Sequence, residues 1–183
     1  MQPSLLFRHC FRCGTSADTP EPGRPFECAS CGLHYYFNPA VAVAAVLVGP
    51  DGRVLLLRRA KDPGKGLFGL PGGFVDIGET AEEALRREIL EEVNLSVVSL
   101  EYFSSGTNQY LYQGVDYPVL DFFFVARTTD ISGIAALDDV ESFEWRDPAT
   151  VRFEEVAFAS NARALNEYCE KKDKGLQIGR AHV

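Results

Sequence analysis

Three glutamates with helical spacing suggest a site for a divalent metal ion. Glu88, Glu91 and Glu92 lie three and four positions apart, which places their carboxylates on one patch of a helix. Neither Glu88 nor Glu92 has a basic residue three or four positions away, so their repulsion would cost roughly 0.2–0.5 kcal/mol. Mg²⁺ binds well to a few carboxylates together with phosphate oxygens. The spacing therefore favours a Mg²⁺ or Mn²⁺ site.

A solvated helix face held by ion pairs is the alternative interpretation of this charge pattern. Glu82 with Arg86, Glu83 with Arg87, and Arg87 with Glu91 all have the spacing of helical ion pairs. These pairs need no function. They leave Glu88 and Glu92 without a basic partner on the helix. A divalent cation bound between these two carboxylates would remove the repulsion between them.

A second potential metal site is formed by cysteines near the N-terminus. Two Cys-x2-Cys pairs, each followed by glycine, have the spacing of a zinc ribbon with the ligands Cys10, Cys13, Cys28 and Cys31. Disulfides are the alternative, but no export signal precedes the cysteines. His9 and His34 are alternative ligands beside the four thiolates. We expect structural Zn²⁺, because a segment of about 37 residues buries too little apolar surface to fold alone.

The three glutamates lie on a predicted helix at residues 80–93. Thr80 and Glu83 form a capping box, and the apolar residues Ala81, Leu85, Ile89 and Val93 define its buried side. Strands are predicted at residues 41–48, 54–59, 95–103, 110–112, 119–128 and 142–145, a glycine- and proline-rich loop at 61–72 and a second helix at about 154–171. Mixed strands with two helices indicate an α/β sandwich.

Residues 73–95 resemble the Nudix box, Gly-x5-Glu-x7-Arg-Glu-U-x-Glu-Glu-x-Gly-U, where U is aliphatic. Only Asn94 departs, standing where the box has glycine, and asparagine also tolerates the left-handed conformation that closes a helix. The resemblance implies a hydrolase that cleaves the pyrophosphate of a nucleoside diphosphate linked to another group. It also implies the α/β/α sandwich with a mixed sheet, here preceded by a small zinc ribbon.

The resemblance assigns roles to individual residues. It implies that Glu88, Glu91 and Glu92 bind Mg²⁺ or Mn²⁺ with carbonyl groups at Gly72 and Gly73, and that Arg87 orients acidic neighbours including Glu79. The general base is left open. Glu88 is one candidate, and the acidic run of Asp138, Asp139 and Glu141 supplies others, for which a solvated acidic loop is the alternative.

The substrate is less constrained by the sequence. A zinc ribbon before this domain resembles the NADH pyrophosphatases, but their Ser-Gln-Pro-Trp signature is absent. The chain is more similar to bacterial zinc-ribbon Nudix hydrolases, which have Asn-x-Tyr-x-Tyr and Asp-x-Phe-Phe stretches. The candidate substrate contacts are Arg58, Asn108, Tyr110, Tyr112 and Asp121. The tyrosines could instead pack a subunit interface, and dimerisation is common in the family.

These patterns predict a small nucleotide substrate such as NADH or ADP-ribose. The alternatives are a Nudix domain without catalysis that binds or regulates, and a nucleoside triphosphate pyrophosphohydrolase. Nucleic acid is disfavoured as a partner, because 18 basic against 26 acidic residues give a net charge of −8.

The expected organisation is a ribbon at residues 1–37, a Nudix domain at 38–172 and a tail at 173–183. No apolar run is long enough to span a bilayer, and the N-terminus lacks a secretory pattern, so we expect a cytoplasmic protein. Residues 178–183 resemble translated adaptor DNA and are expected to be non-native.

Overall fold

The computed structural model describes residues 1–18, 20–21 and 23–174. Contacts between Cα atoms divide the chain into a small unit, Met1–Ala40 with Gln109–Val119, and a large unit formed by Val41–Asn108 and the chain after Val119. The predicted non-native end at residues 178–183 lies outside the described residues. Among the helices that the structure describes, none is long and apolar enough to cross a membrane.

The small unit is built around two short strands and the cysteine knuckles. Strands β1 (Phe26–Glu27) and β2 (His34–Tyr35) pair antiparallel, and a 3₁₀ helix at Pro3–Leu6 precedes them. Its small core contains Cys10, Phe26 and Cys28. The Met1 ammonium donates to the Gly114 carbonyl at 3.0 Å, and the Asp116 amide donates to the Met1 carbonyl at 2.8 Å. The tip of a long hairpin is thereby tied to the N-terminal segment.

A mixed seven-stranded sheet dominates the described part of the chain. Its strands are β3 (Ala40–Val48), β4 (Val54–Arg59), β5 (Phe68–Gly69), β6 (Gly72–Phe74), β7 (Ser99–Tyr112), β8 (Val115–Arg127) and β9 (Val140–Arg146). The main order is β5-β4-β3-β8-β7, while β6 pairs with β3 and β9 with β4. Alternate residues of β3 and β4 are buried on opposite faces, so both faces of the sheet are covered.

Helix α1 (Ala81–Val93) covers one face and carries the three glutamates. The capping box is confirmed: Thr80 Oγ1 accepts from the Glu83 amide at 3.2 Å, and Glu83 accepts from the Thr80 amide at 2.8 Å. Leu85, Ile89 and Val93 are fully buried against the sheet. Asn94 ends the helix in the left-handed conformation, with φ of 55°, as the sequence predicts.

Helix α2 (Ala159–Asp173) covers the opposite face, with Ala162, Leu165 and Tyr168 in its core. Two 3₁₀ helices, Pro148–Thr150 and Phe153–Glu155, come before it. The predicted start of this helix at residue 154 was therefore too early. Phe158 is extended, and residues 153–155 form a separate turn in which the Arg152 amide donates to Glu155 at 3.0 Å.

The predicted edges of the long hairpin also need correction. Residues 99–103 of the first predicted segment and the second segment, 110–112, are parts of one strand, β7, because the small polar residues between them continue the strand rather than turn. Leu95 is buried with the residues of α1 and lies before this strand. Strand β8 begins at Val115 instead of 119, and the Gln113–Gly114 turn, with φ of 48° and 79°, joins the two strands.

Candidate functional site

Two glycines hold the backbone against the carboxylates of α1. A Cβ atom on Gly73 would lie 2.5 Å from Glu88 Cδ, and one on Gly72 would lie 2.1 Å from the Val43 carbonyl oxygen. The Gly72 amide donates to Glu92 Oε2 at 2.9 Å. A side chain at position 73 would push β6 away from Glu88 of α1, and one at position 72 would push β6 away from β3, so both close approaches require glycine. The structure brings together four predicted residues: Gly72, Gly73, Glu88 and Glu92.

The inward glutamates, Glu88 and Glu92, which lie against Gly73 and Gly72, are in surroundings that make their charged forms unfavourable. Burial raises the pKa of Glu92 to about 8, and the neighbouring charges of Glu88 and Asp138 add to this rise. Burial also raises the pKa of Glu88, although Arg87 opposes the increase. When two carboxyl groups are buried close together, each negative charge makes ionisation of the other group less favourable. A divalent cation would relieve both effects, so the donor set fits Mg²⁺ or Mn²⁺.

Arg87 ties the acidic residues of the box together. Its guanidinium donates to Glu79 at 2.7 and 2.9 Å, to Glu88 at 2.8 Å and to Glu91 at 3.1 Å. It also donates to the Phe74 carbonyl at 3.1 Å. Hydrogen bonds from Arg87 lower the pKa of Glu79 to about 2. Arg87 and Glu79 thus form a rigid clamp behind Glu88, and Glu91 is exposed on its outer side.

The ion pairs of the alternative interpretation form only in part. Arg87 pairs with Glu91 as predicted, but Glu83 serves the helix cap and Arg86 donates to the Val97 carbonyl at 2.7 Å. Glu88 gains a partner that helical spacing did not suggest, the adjacent Arg87. The ion-pair partners depend on how far each side chain reaches along the helix surface. Spacing in the sequence does not determine this reach.

The acidic run before β9 places one residue near the glutamates. The charge of Asp138 raises the pKa of both Glu88 and Glu92. Asp138 has φ of 45°, and the loop is anchored to α1 because the Leu137 amide donates to the Glu92 carbonyl at 2.9 Å. Of the other two candidates in this run, Asp139 forms an ion pair with Lys61, and Glu141 is exposed. Asp138 is therefore the residue of this acidic run whose charge acts on both glutamates.

Two adjacent arginines at the end of β4 point to different surroundings. A register irregularity between Arg58 and Arg59 in the β4–β9 pairing separates their directions. Arg58, the predicted substrate contact, donates to the Gly66 carbonyl at 2.7 Å, pairs with Glu144 at 3.4 Å and lies over the Phe68 ring. Its guanidinium therefore binds groups of the protein itself. The bulge could not be predicted from β-strand alternation alone.

Arg59 has the features expected of a phosphate contact. Its charge lowers the pKa of Glu92, and its Nε donates to the Pro63 carbonyl at 2.7 Å. The guanidinium lies 4.9 Å from the centre of the Phe158 ring. Its terminal nitrogens have no hydrogen-bond partner within the part of the chain that the structure describes. Arg59 is half-buried, so these donors are held in place beside the acidic site.

Asn108 and Asp121, two of the predicted substrate contacts, meet in the large unit. Asp121 is buried, and burial raises its pKa although Ser160, Arg163 and Asn108 oppose the increase. Tyr110 and Tyr112 belong to the small unit, where their ring centroids are 6.4 Å apart. Ser160 was missed by sequence reasoning. A signal was available, since it is a polar residue on the buried side of α2.

The four predicted zinc ligands converge in the small unit. Their sulfur atoms all lie within 4.8 Å of one another, with Cys10–Cys31 and Cys13–Cys28 separations of 3.7 and 3.6 Å. Bonds of about 2.3 Å to a tetrahedral zinc ion require sulfur separations of about 3.8 Å. Gly14 and Gly32 donate to the carbonyls of Cys10 and Cys28 at 2.8 and 2.9 Å, which closes both knuckles. The cysteine cluster fits one Zn²⁺ ion.

Comparison with known proteins identifies the family. The model of the NUDIX domain matches residues 38–168, which is most of the chain. The chain belongs to the NUDIX family. A Nudix hydrolase of Nitrosomonas europaea has the same fold, with a TM-score of 0.72 and 23% identity over 95% of this chain and 97% of that protein. The Nudix resemblance and the α/β sandwich predicted from the sequence are confirmed.

Nudix relatives with named activities match over part of the chain. NAD-capped RNA hydrolase NudC of Pseudomonas aeruginosa is 35% identical over 98 residues, covering 54% of this chain and 34% of NudC. The human mitochondrial NAD(P)H pyrophosphatase NUDT13 is 40% identical over 96 residues, 52% of this chain and 27% of NUDT13. ADP-ribose pyrophosphatase of Methanocaldococcus jannaschii is 53% identical over 60 residues, 33% of this chain and 35% of that enzyme. The chain spans about a third of the length of these relatives.

Proposed function

We propose that this protein is a divalent-metal-dependent hydrolase that cleaves the pyrophosphate of a nucleoside diphosphate linked to a second group. The observation that carries the proposal is the pair of inward glutamates, Glu88 and Glu92, held against Gly72 and Gly73 by close backbone contact. Burial raises the pKa of each carboxyl, which makes the site unfavourable for the protein alone and favourable for a cation. Such strain is typical of functional sites.

The catalytic metal site consists of Glu88 and Glu92, with backbone carbonyls at Gly72 and Gly73 and with Glu91 on the outer side. When bound, Mg²⁺ or Mn²⁺ would neutralise pyrophosphate charge and make a water acidic enough to attack phosphorus at neutral pH. Arg87 holds Glu88 from behind at 2.8 Å and so limits its rotation. Glu79 in turn fixes Arg87 through two hydrogen bonds.

Asp138 is proposed as the residue that receives the proton of the attacking water. It approaches Glu88 and Glu92 from the loop before β9, and its charge acts on both. Asp139 pairs with Lys61 and is less free to accept a proton. Asp138→Asn should therefore reduce kcat by about two orders of magnitude, whereas Asp139→Asn, the matched control, should retain most activity. Equal losses in both variants would contradict this assignment.

Arg59 is proposed to bind the phosphate next to the metal. Its free terminal donors lie beside the acidic residues, and a guanidinium can contact two phosphate oxygens at once. Arg59→Lys should raise KM by about tenfold or more, because an ammonium cannot reproduce the planar fork. Arg58→Lys should change stability more than KM, since Arg58 is bonded to Gly66 and Glu144.

The substrate class follows from the relatives and the domain arrangement. NudC acts on NAD-capped RNA, and the other relatives are an NAD(P)H pyrophosphatase and an ADP-ribose pyrophosphatase. NAD, NAD(P)H and ADP-ribose, the compounds in these names, each contain a pyrophosphate that joins a nucleoside to a second group. A triphosphate pyrophosphohydrolase and a domain without catalysis are the alternatives. The complete box, with the clamp of Arg87 and Glu79 in place, favours catalysis.

Turnover of four compounds with Mg²⁺ and with Mn²⁺ distinguishes these functions. ADP-ribose and NADH should be hydrolysed with higher kcat/KM than ATP or an oxidised deoxynucleoside triphosphate. A preference for either triphosphate would overturn the substrate class but retain the reaction. Absence of hydrolysis together with tight binding of ADP-ribose would support the binding or regulatory alternative.

We also propose that residues 1–37 are a structural zinc ribbon and that residues 38–172 form the catalytic domain. The convergence of four sulfur atoms supports the first assignment, and the match over residues 38–168 supports the second. The ribbon contains equal numbers of arginine and acidic residues, so its charge does not favour a nucleic-acid partner. One zinc ion per chain in freshly purified protein, measured by elemental analysis, tests the ribbon.

A further inference from the structure

We propose that Phe158 is a positioning residue that holds the Arg59 guanidinium in place to bind a phosphate of the substrate. The inference rests on the proposed function, in which Arg59 binds phosphate, and it assigns the neighbouring ring a part in that binding. Both residues lie in the large unit. The Arg59 guanidinium lies over the Phe158 ring, 4.9 Å from its centre, which is within the range of a cation–π contact.

The main chain of Arg59 is fixed by hydrogen bonds to the loop that follows it. The Arg59 amide donates to the Leu67 carbonyl at 3.0 Å, and the Arg59 carbonyl accepts from the Gly66 amide at 2.9 Å. Its side chain contacts the same loop, because Nε donates to the Pro63 carbonyl at 2.7 Å. One nitrogen of the guanidinium is therefore used for orientation. The two terminal nitrogens, which have no hydrogen-bond partner among the described residues, remain for a ligand.

The main chain around Phe158 is also fixed. The amide of the preceding residue, Ala157, donates to the Phe68 carbonyl at 2.8 Å. The Phe158 carbonyl accepts from the Ala162 amide at 3.1 Å, in the first turn of α2. Gly64 lies against Ala157, since a Cβ atom at position 64 would be 2.6 Å from the Ala157 Cβ. The loop that orients Arg59 and the segment that carries Phe158 are therefore packed directly together.

An aromatic ring can orient a guanidinium without using its N–H donors or neutralising its charge. The adjacent Arg58 shows the other arrangement: it lies over the Phe68 ring, but it also pairs with Glu144 at 3.4 Å. Arg59 forms no ion pair with any residue in the described part of the chain. The contact with Phe158 thus leaves the positive charge and the terminal donors of Arg59 available to an anion.

The charge of Arg59 acts at the proposed metal site. It opposes the rise in the pKa of Glu92 that burial causes. A guanidinium that is held in place before the substrate arrives avoids most of the cost of ordering a long side chain on binding. Loss of the Phe158 ring should therefore weaken phosphate binding, which is measured in Kd and KM. It should leave kcat for the bound substrate nearly unchanged.

Phe158→Leu, which removes the ring and keeps an apolar side chain, is the first test. Affinity for methylene diphosphonate, a pyrophosphate analogue that resists hydrolysis, is measured by calorimetry with Mg²⁺, and turnover is measured with ADP-ribose. Kd and KM should rise about 5- to 30-fold, with kcat changed by about twofold or less. Phe158→Tyr keeps the ring and should give wild-type values. Phe153→Leu is the matched control, since it makes the same change at an exposed ring before α2. If Phe158→Leu does not fold, Phe158→Met replaces it in the same measurements.

A double variant with Arg59→Gln shows whether Phe158 acts through Arg59. Arg59→Gln alone should raise Kd about tenfold or more. Adding Phe158→Leu should then change Kd by about twofold or less, because the ring has no cation left to hold. Losses that multiply, equal Kd in Phe158→Leu and Phe153→Leu, or a fall in kcat at unchanged KM would overturn the inference. Wild-type affinity in Arg59→Gln would also overturn it. Coupled losses in Kd without any hydrolysis of ADP-ribose would retain the inference and overturn only the proposed reaction.

Discussion

Replacing Glu92 by glutamine should stabilise the metal-free protein and abolish most activity. The variant keeps a carbonyl oxygen to accept from the Gly72 amide, a bond of 2.9 Å in the structure, and removes only the charge. In the folded protein the pKa of Glu92 is raised to about 8 from the ordinary 4.5, chiefly by burial. Ionising this carboxyl in the folded state is therefore unfavourable, and glutamine avoids it.

The sign and size of the effect follow from proton linkage at Glu92. Between pH 4.5 and about 8 the folded wild-type protein holds a proton that the unfolded chain has released. The contribution of Glu92 to wild-type stability is thus fully present below pH 4.5 and is lost as the pH rises from 4.5 through the folded pKa of about 8. At about 1.4 kcal/mol per pH unit, the advantage of the variant should grow by about 3 kcal/mol between pH 5.5 and 8.5. That corresponds to roughly 6–12 °C in Tm for a protein of this size.

Thermal unfolding at both pH values, without Mg²⁺, Mn²⁺ or chelator, measures this difference while leaving zinc in place. Glu82→Gln is the matched control, because it makes the same change at an exposed position of the same helix. Added Mg²⁺ should raise the Tm of the wild type and affect Glu92→Gln much less. A variant that is less stable than the wild type, or an advantage that is the same at both pH values, would refute the electrostatic reasoning.

Three further changes test other parts of the account. Gly73→Ala should lower kcat by about tenfold or more and weaken Mg²⁺ binding measured by calorimetry, because the new Cβ would meet Glu88 at 2.5 Å. Arg87→Lys should lower kcat by about 10- to 100-fold, since lysine cannot hold several carboxylates, and Arg86→Lys should be nearly neutral in the same assay. Cys28→Ser should lose zinc by elemental analysis and lower the Tm, and retention of one zinc per chain would contradict the ligand set.

The sequence predicted α1 and its acidic residues well because the controlling forces are local. Thr80 and Glu83 fix the start of the helix, and Asn94 fixes its end. The position of a carboxylate on a helix follows from spacing alone, so Glu88 and Glu92 were expected to share one patch. The convergence of the cysteines was also predictable, because each knuckle is a short segment with its own glycine.

The parts that could not be predicted depend on distant contacts. The irregularity between Arg58 and Arg59 arises from pairing with β9, more than eighty residues later in the chain. The proposal of Asp138 over its acidic neighbours depends on how its loop is anchored to α1. The burial of Asp121 requires β8 and α2 to pack together. Local propensity contains no information on such contacts, so the sequence alone could not decide between Arg58 and Arg59 as the proposed phosphate contact.

The most direct measurement is the hydrolysis of ADP-ribose as a function of Mg²⁺ concentration in the wild-type protein and in Glu92→Gln. Product formation should require Mg²⁺ in the wild type and saturate with it. The variant, folded and with its zinc retained, should lose turnover by about two orders of magnitude or more at every Mg²⁺ concentration. Hydrolysis that is independent of divalent metal, or a folded variant with wild-type turnover, would contradict the assignment of the buried glutamates as the catalytic metal site.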